Sequence, residues 1–135
     1  MKSLVILFGT ATLTAALVTQ AADLKVPDLT KLPPAADKKG VTYARDIRPI
    51  FEKSCFGCHG VEKQKGELRV DSLEAVLKGS EHGKVVVPGK SDKSPLLWSV
   101  ARLDEDTAMP PEGKAEPLTK AQVSLVRAWI EQGAK

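Results

Sequence analysis

Ser54-Cys55-Phe56-Gly57-Cys58-His59-Gly60 holds two cysteines separated by two residues, with a histidine directly after the second. This is the pattern by which c-type haem is attached. The two thiols add across the porphyrin vinyl groups, and the two-residue spacer lets both sulfurs reach one macrocycle from a single turn of chain. His59 then falls beneath the iron as the proximal nitrogen donor, while the thioethers keep the group from dissociating when iron changes oxidation state.

Three other uses of these residues compete with that one. A redox dithiol expects alternating strands and helices around the Cys-x-x-Cys pair, and the flanking sequence has no such alternation. A zinc site needs four ligands, and Cys55, Cys58, His59 and His82 are the only cysteines and histidines available; adjacent Cys58 and His59 would point apart. A disulfide between Cys55 and Cys58 closes so small a loop that it removes little unfolded-state entropy.

Working outward, residues 1–21 read as an export signal. Lys2 supplies a positive start, residues 4–18 are apolar apart from Gly9 and several threonines, and Thr19-Gln20-Ala21 offers small residues for cleavage after Ala21. The apolar stretch falls short of a membrane span of about 20 residues, so membrane contact is expected only if this segment stays uncleaved. Export suits the motif, because bacterial haem attachment follows export; the expected location is periplasmic or otherwise exported. No cysteine lies near the cleavage point, which excludes lipid attachment there.

The formal charge is +3, one unit less without Lys2, and two haem propionates would bring it near zero. That balance argues against nucleic acid as a partner, which usually demands a clearly basic face. Both cysteines of the chain lie in the motif, so an exported domain of this size needs a staple other than a disulfide, and haem would be it.

Residues 22–40 carry Pro27, Pro33, Pro34 and Gly40 without helical or strand period, and read as a linker. The domain proper is 41–135. Ile47, Ile50 and Phe51 predict a helix that delivers Cys55 at its C-terminal end, with Asp46 as N-cap and Pro49 in the first turn. Asp71 and Glu74 predict a capped short helix over 72–78, stopped by Gly79. Val85-Val86-Val87 reads as a buried extended segment, and Ser94-Pro95 opens another helix. Residues 104–117 must be a loop. Thr119 and Gln122 form a capping box for the best-formed helix, whose apolar face is Val123, Leu125, Val126, Trp129 and Ile130 and which ends at Gly133.

A second axial ligand can be sought by elimination. Beyond the signal there is one methionine, Met109, and one other histidine, His82. Met109 sits in a proline-rich loop with no apolar stripe to make it core, and its soft thioether would stabilise ferrous iron. His82 lies in a polar turn, where an imidazole is ordinarily exposed. Met109 is the favoured ligand; His82 and an open position remain alternatives.

The chain resembles the cytochromes c, specifically the planctomycete-type cytochrome c domain, over residues 41–134. The likeness rests on Arg45-Asp46-Ile47-Arg48-Pro49-Ile50-Phe51, the Cys55 to Gly60 stretch, Leu68-Arg69-Val70-Asp71, Val87-Pro88-Gly89, Met109-Pro110-Pro111 and Trp129-Ile130-Glu131-Gln132-Gly133-Ala134. It implies an all-α fold, a small class I-like cytochrome c of about four helices wrapped around one covalently bound haem c. It implies that Cys55 and Cys58 hold the haem, that His59 is proximal and Met109 distal. It also implies a supporting shell of Pro88, Arg69 and Trp129, with the Pro88 carbonyl orienting the proximal imidazole.

Two function classes follow. A monohaem electron carrier would meet redox protein partners by transient docking, for which Lys53, Lys63, Lys65, Lys84, Lys90 and Lys93 form a candidate rim or merely a solvated surface. A haem-based sensor or peroxidase-like enzyme would need an open or displaceable distal position with an acid/base group beside it, and His82 is the residue that could serve.

Overall fold

The computed structural model describes residues 25–135; the expected export signal lies outside them. The described residues form four α-helices joined by short helical turns and loops, without strands. α1 is Arg48–Ser54, α2 Leu73–Lys78, α3 Pro95–Val100 and α4 Lys120–Glu131. None of them is long and apolar enough to cross a membrane.

The helical chain begins one turn earlier than capping residues alone indicate, because a π-helical segment, Tyr43–Ile47, runs straight into α1. Asp46 is therefore not the N-cap expected from sequence. Its buried carboxylate reaches back to the Thr42 amide at 2.8 Å and takes Lys38 at 2.6 Å and Arg45 at 2.9 Å. For α2 the cap is Ser72, whose hydroxyl accepts from the Ala75 amide at 3.2 Å, while Asp71 turns away to pair with Arg69. Gly79 ends α2 at φ +96, where a Cβ would lie 2.4 Å from the Gly83 carbonyl oxygen. In α4 the capping box of Thr119 and Gln122 is complete, as the sequence predicts.

The core forms where these amphipathic pieces meet. α4 contributes Val123, Val126, Ala128, Trp129 and Ile130 and packs against α3 and the π-helical segment. Trp129 is fully buried, with ring centroids 6.0 Å from Tyr43 and 6.5 Å from Phe51. Truncating a buried aromatic of this kind costs about 3–5 kcal/mol. Val86 is buried in an extended segment held by Leu96 N–H to Val85 O at 2.9 Å and by the Ser94 hydroxyl accepting from Val87 N–H at 2.9 Å.

Residues 29–40 are docked along α4, where the sequence reads as a spacer. Leu32 joins the core; Ala36 N–H donates to Ser124 O at 2.9 Å, Arg127 to Pro33 O at 2.8 Å, and Gln132 Nε2 to Lys38 O at 2.7 Å. Prolines without helical period can still run as an extended strap when a helix supplies partners for the backbone.

Candidate functional site

α1 stops at Ser54, and Cys55 is the first residue off the helix. The chain then folds back on the Cys55 carbonyl, which accepts from Cys58 N–H at 3.1 Å and His59 N–H at 2.8 Å. Leaving the motif, Gly60 N–H donates to Lys63 O at 2.8 Å, and a Cβ on Gly60 would lie 2.6 Å from the Phe56 carbonyl oxygen. The Cys58 and His59 carbonyls are also taken, by Lys65 N–H at 3.1 Å and Val70 N–H at 2.8 Å. Each peptide group of the Cys-His step is thus fixed, which presents the side chains on a rigid turn. The Arg48 guanidinium lies 5.5 Å from the centre of the Phe56 ring and braces the outer face.

Two adjoining cavities of about 140 and 150 Å³ share Cys55, His59 and Met109 in their walls. The first also has Cys58, Pro110 and Pro111, with Lys53 and Lys114 at its exposed edge. The second is walled mainly by apolar side chains, among them Phe51, Leu68, Val70, Val85, Leu96 and Val100. Met109 arrives on the loop after α3, held by its own N–H to Ser99 O at 2.9 Å and by Arg102 Nη1 to Pro110 O at 2.8 Å.

The electrostatics suit a covalently held group. Both thiols are free. Burial, reinforced by the neighbouring Cys58 sulfur, pushes the Cys55 thiol up to about 12, so it is neutral at ordinary pH and unlike the activated thiolate of a redox dithiol. His59 Nδ1 is buried without a hydrogen-bond partner, a state a free imidazole tolerates poorly. Soft sulfur and imidazole donors facing one apolar slot are the set that haem iron takes. The residues present therefore fit a haem.

The supporting shell is arranged differently from what the resemblance implies. Pro88 is exposed and lines a surface groove with Leu77, Lys84, Val86 and Val87, and its carbonyl takes no hydrogen bond from His59. Arg69 is engaged by Asp71 through contacts of 2.9 and 2.7 Å. Trp129 stands behind Phe51, with its Nε1 donating to Lys135 O at 3.0 Å. His82 is 81% exposed on its turn, beside Glu81, and lines neither cavity. Among the described residues no group of three or more His, Cys, Asp and Glu side chains is placed to hold a metal ion, so the zinc alternative has no ligand set.

Sequence reasoning missed Phe51, Val70, Val85, Leu96, Ser99 and Lys114 as parts of the site. The apolar ones read simply as core, because a wall facing a prosthetic group and a wall facing other side chains carry the same periodicity. Of the six lysines expected at a docking rim, Lys53 alone lines either of the two cavities that share Cys55, His59 and Met109.

Searches of curated proteins and of solved structures find no match. The family model described as planctomycete cytochrome C matches residues 55–113, from the first motif cysteine to just past Met109. That span holds both thiols, the imidazole and the thioether that the fold gathers around one slot. Over residues 55–113 the chain is thus similar to the planctomycete cytochrome C family, a family whose members carry covalent haem c and are commonly electron carriers.

Proposed function

We propose that the protein is an exported monohaem electron carrier with His59 and Met109 as axial ligands. The observation that carries this reading is the meeting of Cys55, Cys58, His59 and Met109 at one cavity although Met109 lies fifty positions beyond His59. Bound haem supplies the one-electron Fe(III)/Fe(II) couple. Cys55 and Cys58 would hold it as thioethers, the His59 imidazole and the Met109 sulfur would supply donors to its iron, and the apolar wall from Phe51 to Val100 would exclude water and so favour the less charged reduced state.

No carboxylate and no second imidazole lines either cavity. A peroxidase-like or sensor role would need such a group beside an open position, so the geometry favours the carrier. Lys53 and Lys114 flank the cavity edge, are exposed and enter no ion pair among the described residues. They suit brief docking of a redox partner with an acidic surface. Placement outside the cytoplasm follows from the signal-like residues 1–21.

The test is attachment. Protein made alongside haem-ligating machinery should keep its haem on a denaturing gel after acid-acetone extraction, and the double variant Cys55→Ala, Cys58→Ala should lose it. Haem extracted from the wild type would sink the reading.

A further inference from the structure

We infer that Tyr43 is a positioning residue for His59, acting through Val70. The Tyr43 hydroxyl donates to the Val70 carbonyl at 2.5 Å, and the Val70 amide donates to the His59 carbonyl at 2.8 Å. Val70 is therefore pinned on both of its peptide groups, one bond leading to the phenol and the other to the imidazole residue. Tyr43 and Val70 are 4% and 3% exposed, so neither bond competes with water.

The link matters because of what His59 lacks. Its Nδ1 has no hydrogen-bond partner, so the ring has no polar anchor of its own. Its orientation depends on where the main chain holds the residue, and the His59 carbonyl is held by Val70. A ligating imidazole is ordinarily oriented by a group on its other nitrogen; here that work passes to the backbone and its support.

Tyr43 is itself immobile. Its ring sits edge-on to Phe51 at 6.3 Å and tilted against Trp129 at 6.0 Å, and its amide donates to Lys135 O at 2.6 Å. Phe51 and Val70 both wall the cavity that holds Cys55, His59 and Met109. One residue, two contacts behind the iron site, thus braces two parts of its wall. Burial pushes the phenol up to about 12, which keeps it a hydrogen-bond donor over the whole working pH range.

The inference rests on His59 being a haem ligand, and the experiment separates the two. Holoprotein is compared with Tyr43→Phe, which keeps the ring and removes the hydroxyl. Proton NMR of the oxidised state reads the haem-methyl shifts, whose order follows the orientation of the axial imidazole; voltammetry reads the potential. We expect a changed order or spread of methyl shifts and a moved potential, with the Met109 sulfur still bound. Wild-type shifts and potential in Tyr43→Phe, with only a lower Tm, would overturn it.

If Tyr43→Phe fails to load haem, a second probe is at hand, because Tyr43 is the sole tyrosine of the chain. Growth on 3-fluorotyrosine alters this hydroxyl alone among tyrosines, strengthens it as a donor and keeps the ring. The same methyl signals should shift, and unmoved signals would overturn the inference. A wild type with no strongly shifted methyls would overturn the haem reading and this inference together.

Discussion

The amide of Met109 donates to the carbonyl of Ser99 at 2.9 Å. This bond ties the loop after α3 to the last turn of α3, and Ser99 and Met109 line the same cavity. The second tie is Arg102 Nη1 to Pro110 O at 2.8 Å. The sulfur is therefore presented by a loop clamped on both sides of its Cα, and the loop's shape does not depend on the methionine side chain.

Arg102→Ala removes the outer clamp and leaves the Ser99 bond. A charged donor to a carbonyl at a partly exposed site is worth about 1 kcal/mol, or roughly fivefold in the population of opened loop. Cyanide should bind the oxidised protein faster by that factor, with the resting spectrum unchanged. An unaltered rate would show that the loop does not gate access to the sixth position.

Gly60→Ala places a methyl 2.6 Å from the Phe56 carbonyl oxygen. The obstacle is backbone within the motif turn, so the turn itself must shift. Overpacking of this kind costs about 2 kcal/mol. A thermal melt of the holoprotein should show the loss, and the yield of covalently loaded protein should fall with it, because both thiols sit on the displaced turn. A wild-type Tm would contradict the tight turn described here.

Asp46 sets the acid limit. Arg45, Lys38 and the Thr42 amide hold its carboxyl well below the ordinary aspartate value of 3.8. A carboxyl depressed in the folded state contributes stability that is present above its unfolded value and lost as pH falls below it. Asp71, held down by Arg69, acts in the same direction. Unfolding followed against pH should be flat near neutrality and weaken below about pH 4. Asp46→Asn should lower stability at pH 7 and make the acid limb shallower; an unchanged acid limb would show that this carboxylate does not carry the effect.

The motif, α4 with its capping box and the helix that delivers Cys55 are legible in the sequence, because each is dictated by neighbours within a few positions. The caps of α1 and α2 are not. Asp46 and Asp71 are good N-cap residues by type, but each lies within reach of an arginine, and the ion pairs of Asp46 with Lys38 and Arg45 and of Asp71 with Arg69 take them instead. The strap over 29–40 was hidden for a related reason: its partners Ser124, Arg127 and Gln132 lie about ninety positions on, and no local pattern encodes them. Pro88 has its role by likeness alone; it is exposed, the His59 ring Nδ1 has no hydrogen-bond partner, and Val70 N–H reaches only the main-chain carbonyl of His59.

The most direct test of the account is the far-red absorption of the oxidised holoprotein, where sulfur-to-iron charge transfer gives a weak band. The account predicts that band in the wild type, its loss in Met109→Ala together with a lower potential, and no change in His82→Ala, whose imidazole stands in solvent away from both cavities. A wild type without the band, whose spectrum responds to His82→Ala and not to Met109→Ala, would contradict it.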